Sequence, residues 1–216
     1  MGTASRSTAD RRGADAPIGE PVLLALEGHL REREQRREAL YQQARRLRRL
    51  SQATVTRLHT DRAAPSDLAD LRRMLGELAT LVRQDGRAEE AVALDAFQEA
   101  VEACLLGAIL AGAPLPTPAE LGVEPEPYLL GLGDVVGEVR RLVLDRLGRE
   151  ELPAAEAFLS LMERLAEALM RFDASRAIVQ LKPKQDQARL LLERTRGEVV
   201  MARLLLRARP NAPGGA

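Results

Sequence analysis

Apolar positions along this chain recur every three and four residues and almost never every two, so the pattern is helical throughout. Leu40, Ala44, Leu47, Ser51, Val55 and Leu58 form one such stripe. They predict an amphipathic helix from about Pro21 to about Thr60, roughly 60 Å long at the helical rise. That exceeds the usual globular helix and calls for another subunit or a long partner helix beside it. Pro65-Ser66 restarts the chain, and Leu68, Leu71, Leu75, Leu78 and Leu81 mark a second helix closed by Asp85-Gly86. A third is expected from about Ala88 to Leu110. Thr117-Pro118-Ala119-Glu120 reads as a capping box with proline at the first helical position, opening a short helix after the Pro114–Pro118 loop. Pro125 and Pro127 bound the next loop, followed by a helix from about Tyr128 to Leu147. Pro153 opens another, ending near Phe172. Lys182-Pro183 kinks or starts the last, which carries Leu190, Leu191, Val199 and Leu204 to about Arg207. No repeat of fixed period is present. The fold class is all-α, a bundle of six to seven helices with short connections. Residues 1–20 and 209–216 lack any apolar period and read as disordered tails around one helical domain, 21–208.

Composition supports helices and narrows the setting. Of the 216 residues 45% are apolar but only 2% aromatic, and the apolar share is mostly Leu, Ala and Val. Cys104 is the single cysteine, so no intramolecular disulfide forms and a reducing compartment fits. The longest apolar stretch, Ala103 to Ala113, is too short to cross a bilayer. No apolar signal core stands near the N-terminus, and Arg6 occupies the place where a myristoylation motif needs Ser or Thr. The expected location is the cytoplasm, with no membrane partner.

Net charge is zero, yet its distribution is uneven. Arg31 to Arg62 holds ten arginines against four acids, whereas Ala88 to Val139 holds ten acids and no lysine or arginine. Within that acidic stretch Asp95, Gln98, Glu99 and Glu102 share one stripe of an otherwise apolar helix. Asp134 and Glu138, four residues apart, are the only charges between Leu129 and Val139. If the two stripes face each other, four carboxylates share a low-dielectric pocket with no base beside them in sequence. Repulsion and desolvation then require protonation of some or a cation among them. An all-oxygen site suits Mg²⁺, or alternatively Mn²⁺, rather than zinc, and such an ion serves phosphate chemistry. The bland alternative pairs Glu138 with Arg141 and leaves the other acids on solvated stripes.

Other signals carry less. Arg45, Arg46, Arg48 and Arg49 have no acid within reach along their own helix, so phosphate contact and a solvated face are both open. Gly131-Leu132-Gly133 with Gly137 lacks the spacing and preceding strand of a dinucleotide fingerprint; glycines that let two helices approach closely fit better. His29 and His59 stand too far apart on one helix to share a metal. No Glu-x-x-His pair supports a di-iron bundle, no Ser-His-Asp set is present, and Cys104 reads as core.

Phe97-Gln98-Glu99-Ala100-Val101-Glu102-Ala103 and the segment Tyr128-Leu129-Leu130-Gly131-Leu132-Gly133-Asp134-Val135-Val136-Gly137-Glu138 resemble the translin superfamily. The likeness is to its TRAX side (translin-associated factor X), with Gln-Glu-Tyr-Val-Glu-Ala and Tyr-Leu-Leu-Gly-x-x-Asp-Leu-Thr-Gly-Glu-Leu. Leu181-Lys182 before a long last helix adds to it, and the resemblance spans about Arg31 to Arg207. It implies a translin-like fold and a hollow, octamer-like homo-oligomer that binds single-stranded RNA or single-stranded DNA. TRAX-type subunits are Mg²⁺-dependent endoribonucleases, which implies catalytic roles for Glu99, Glu102 and Asp134 and metal ligation by Glu102 and Glu138. Ala100 replaces the family's tyrosine, Pro183 stands where the family continues its helix, and the scarcity of aromatics leaves little base stacking.

The expectation is therefore a cytoplasmic, Mg²⁺-dependent endoribonuclease acting on single-stranded RNA, with Glu99 or Asp134 as general base. Two rivals stand beside it. One is a non-catalytic binder of single-stranded nucleic acid, the other a helical scaffold for protein partners.

Overall fold

The computed structural model describes residues 19–60, 62–85 and 87–208, without the side chains of 84–92. Residues 1–18 and 209–216, which hold nearly all of the two expected tails, lie outside the described residues. Every regular element among those described is a helix: α1 (Glu20–His59), α2 (Pro65–Asp85), α3 (Arg87–Leu110), α4 (Pro118–Leu121), α5 (Pro125–Gly148), α6 (Leu152–Met170) and α7 (Leu181–Ala208). The chain divides into two units, Met1–Ala39 and Leu40–Ala216. In the first, the described residues form the N-terminal part of α1, with Val22, Leu24, Leu26 and Leu30 exposed.

The second unit contains the core. The α1 stripe is the expected one with a single change: Leu40, Ala44, Leu47, Ser51 and Leu58 are buried, but Thr54 replaces Val55 as the innermost residue of its turn. Buried hydroxyls do not go unpaired, since Ser51 Oγ donates to the Leu47 carbonyl at 2.9 Å. Two contacts tie the end of α1 to the start of α2. Arg57 Nε donates to Asp67 Oδ2 at 3.1 Å, and the same oxygen accepts from the Ala64 N–H at 2.8 Å.

Helix α5 is central and packs against α3, α6 and α7, while α2 lies on α3. It starts three residues before the expected Tyr128, because Pro125 takes the first helical position and Pro127 also falls in the first turn. Amides there have no intrahelical acceptor, so neither proline removes a bond. Pro183 is accommodated in the same way in the first turn of α7, which starts at Leu181 without a kink residue in its interior. The Thr117 capping box forms as expected: Thr117 Oγ1 accepts from the Glu120 N–H at 3.2 Å, and Glu120 Oε2 accepts from the Thr117 N–H at 2.7 Å. Buried Gln185 on α7 donates to the carbonyls of Leu169 and Phe172 at 3.0 and 2.8 Å, which satisfies the C-terminal end of α6 and docks the two helices.

The approach of α5 to α3 is set by Gly131. A Cβ there would lie 2.7 Å from the Gln98 carbonyl oxygen and 2.8 Å from Val101 Cγ1, distances no packed carbon tolerates. Gly133 is similarly crowded by the Lys184 side chain, with its Cβ position 2.8 Å from that of the lysine, whereas Gly137 would meet nothing closer than 3.8 Å. Gly131→Ala should therefore cost about 1–3 kcal/mol in urea unfolding, the usual penalty of overpacking. Gly137→Ala should be neutral or stabilising by up to about 1 kcal/mol, from helix propensity. Equal stability of the two variants would contradict the close approach.

Candidate functional site

Glu99 and Glu102 lie one turn apart on α3, Asp134 and Glu138 one turn apart on α5, and the crossing at Gly131 brings the two pairs together. All four side chains are half-buried. Asp95, on the same sequence stripe, is exposed and stands one turn further out, away from this group.

The absence of bases along the acidic stretch does not extend to space. Each of the three outer carboxylates meets a basic side chain from a helix distant in sequence. Arg48 Nε on α1 donates to Glu99 Oε1 at 2.8 Å, and Gln52 Nε2, one turn on, donates to the same oxygen at 3.2 Å. Lys184 Nζ on α7 donates to Asp134 Oδ1, while Gln98 Nε2 donates to Asp134 Oδ2 at 2.5 Å. His59 Nε2, at the last residue of α1, pairs with Glu138 Oε2; the imidazole side chain is only 5% exposed. Glu138 thus pairs with His59 and not with Arg141.

Glu102 is the exception. Among the described residues it has no hydrogen bond or ion pair. Burial first, and then the negative charges of Asp134, Glu138 and Glu99, push its carboxyl from 4.5 up to about 8, with Lys184 only partly offsetting them. Asp134, Glu138 and Glu99 all act on Glu102, so the four carboxyls influence one another electrostatically. As the side chains stand, no three His, Cys, Asp or Glu among the described residues converge closely enough to hold an ion. The donor chemistry nevertheless fits a hard divalent cation. The set is all oxygen, and its central member is unpaired and destabilised as an anion.

The basic run on α1 separates on inspection. Arg48 is committed to Glu99, so it is not a free phosphate ligand. Arg45 lies over the Tyr41 ring, 5.7 Å from its centroid. Arg46 and Arg49 are exposed and make no ion pair among the described residues. Arg45, three residues before Arg48, shares its face of α1.

Two residues of the site escape a reading by sequence. His59 has significance there only as a poor metal partner for His29, and Lys184 only as a neighbour of the helix-starting proline. A faint signal exists for the latter, since this arginine-rich chain keeps lysine only at Lys182 and Lys184. Cys104 is buried and free, and burial pushes its thiol pKa up, as suits a core residue.

The shifted carboxyl of Glu102 gives stability a definite pH dependence. Between pH 4.5 and about 8 the folded chain holds a proton that the unfolded chain releases. Stability from this group is therefore full below 4.5, falls as pH rises, and levels off once pH passes about 8. In EDTA, the melting temperature of wild type should decline through this window more steeply than that of Glu102→Gln, which has nothing to ionise. Parallel profiles would show that Glu102 is not in a desolvated, acidic environment.

Comparison with known proteins is consistent with this architecture. No family model matches the chain. An uncharacterized protein of Methanocaldococcus jannaschii is 41% identical over 104 residues, a stretch covering 48% of this chain and 47% of that protein. The chain thus matches about half the length of that curated relative. The structure of AfC3PO in complex with duplex RNA superposes with a TM-score of 0.78 at 28% identity, covering 87% of this chain and 100% of that one. AfC3PO itself gives a TM-score of 0.76 at 30% identity over 85% of this chain and 98% of that chain. Apo-NeC3PO gives 0.77 at 20% identity over 86% and 99%, which shows the shared fold. The described helices include none long and apolar enough to cross a membrane. Near-complete coverage of AfC3PO at 30% identity, on the same all-helical architecture, shows that the chain belongs to the C3PO family within the translin superfamily.

Proposed function

We propose that this protein is a TRAX-like, Mg²⁺-dependent endoribonuclease that works in the cytoplasm as a homo-oligomer, octamer-like in form. The observation that carries the reading is the carboxyl group of four on α3 and α5 with Glu102 unpaired at its centre. A related protein, AfC3PO, forms a complex with duplex RNA. That favours RNA as the substrate class and adds duplex RNA to the single-stranded RNA and DNA that the sequence led us to expect.

Glu102 and Glu138 would hold the cation, Mg²⁺ or alternatively Mn²⁺. When bound, it would supply charge stabilisation to the phosphodiester and lower the pKa of water. The chain's own residues do the rest. Glu99, held by Arg48 and Gln52, and Asp134, held by Gln98 and Lys184, are fixed in orientation and are the candidates for general base. One of them takes the proton of the attacking water as its oxygen bonds to phosphorus. The phosphorus bond to the leaving ribose oxygen then breaks, and that oxygen takes a proton from solvent water while the base returns its own to solvent. Arg45, Arg46 and Arg49, exposed on α1, supply cationic contacts for the phosphate backbone, while Arg48 stays on Glu99 and orients it.

One observation favours a second reading, a non-catalytic binder of nucleic acid. All three outer carboxylates already have basic partners, and a site neutralised by its own chain can do without a metal. Cleavage of end-labelled single-stranded and duplex RNA, with Mg²⁺ and with EDTA, separates the two. The nuclease reading expects products only with the metal, and a loss on the order of 10²-fold or more in Glu102→Gln and Asp134→Asn. Salt-sensitive binding without products in any metal would establish the second reading instead.

A further inference from the structure

Beside the acidic group lies a cavity of about 730 Å³, walled by α2, α3, the α4–α5 turn and the loop before α7. Its size is that of a small-molecule site. Two of its lining residues, Gln98 and Lys184, are the hydrogen-bond partners of Asp134, so cavity and acidic group share a wall. The chemistry of that lining is mixed in an informative way. Phe97 and Val179 give a buried apolar face, and Ile178 stands at the rim, 66% exposed. Lys184 and Arg176 are cationic, while Glu124 and Glu126 offer acceptor oxygens. A flat apolar body that carries N–H donors on its edge and an anion on one side would match all three parts.

We propose that this cavity is a nucleotide subsite, taking one unstacked nucleotide of an RNA chain next to the acidic group. The base lies against Phe97, Val179 and Ile178, its N–H groups face Glu124 and Glu126, and its phosphate meets Lys184 and Arg176. This deepens the nuclease reading and rests on it for the source of the nucleotide. It has a consequence for the acids as well: the Lys184 ammonium, with three N–H donors, can hold a phosphate and Asp134 together and so sets the nucleotide beside that carboxylate.

The test is calorimetric titration of the full chain, in EDTA, with adenosine and uridine 5′-monophosphates, inorganic phosphate and the free nucleosides. Saturable binding of a monophosphate is expected, with phosphate and nucleosides at least about tenfold weaker. Ile178→Glu and Arg176→Glu, both at exposed positions and checked for unchanged circular dichroism, should each weaken it by about tenfold or more. No binding, equal binding of inorganic phosphate, or wild-type affinity in both variants would overturn the subsite. A single-stranded oligoribonucleotide should displace the monophosphate and should show a raised KM for cleavage in Ile178→Glu. A monophosphate that the oligomer leaves in place would identify free nucleotide as the ligand and overturn the place on the RNA path. Because metal is absent from the titration, the two readings fail separately. Mg²⁺-dependent cleavage without nucleotide binding removes the subsite alone, and nucleotide binding without cleavage removes the nuclease alone.

Discussion

The backbone of α5 at Gly131 rests almost on the Gln98 carbonyl of α3, and the rest of the site follows from that contact. A side chain larger than hydrogen would separate the helices, and the separation would be felt within the next two turns of both. There stand Glu99 and Glu102 on one helix, Asp134 and Glu138 on the other. The same crossing seals the group from water on its inner side, where Val101, Val135 and Val136 are fully buried. Close packing thus creates the low dielectric, and the low dielectric makes four neighbouring carboxyls expensive.

The fold meets that cost from three directions. Arg48 and His59 come from α1, and Lys184 comes from α7. Each is positioned by packing that has its own purpose. The buried stripe of α1 fixes the angle at which Arg48 and His59 emerge, and the ion pair of Arg57 with Asp67 pins its end. Gln185, next to Lys184, caps α6 and so fixes the start of α7. Glu102 alone receives no such partner, and its carboxyl bears the full effect of burial and like charge. A protein that needed these residues only for stability would do as well with apolar side chains at such positions. An unpaired carboxyl kept at the centre is what supports the proposal of Glu102 as a metal ligand.

Much of this was legible in the sequence, because helical periodicity and capping are local properties. The bounds of α2, α3 and α4 follow from their prolines, glycines and the Thr117 box, and the two acidic pairs follow from spacing alone. The start of α5 was less legible, since Pro125 and Pro127 read equally as loop or first turn until the helix behind them is seen. The counter-charges were not legible at all. Glu99 and Arg48 are 51 residues apart, Asp134 and Lys184 are 50, and Glu138 and His59 are 79. Pairings at that range depend on which faces of four helices meet, and one-dimensional charge counts average them away. The same limit explains Thr54, which is buried in place of Val55 because the helix face is decided by its neighbours and not by hydrophobicity alone.

Direct titration of the purified chain with Mg²⁺ and with Mn²⁺ at pH 7, in buffers of different ionisation enthalpy, goes to the heart of this account. If the carboxyls on α3 and α5 form a cation site centred on Glu102, binding is saturable. It releases about one proton per ion, because a carboxyl that is protonated when empty must ionise to become a ligand. Glu102→Gln then abolishes both the binding and the release. No saturable binding, or binding without proton release that Glu102→Gln leaves unchanged, would contradict it, and the four acids would then be a site neutralised by Arg48, His59 and Lys184 alone.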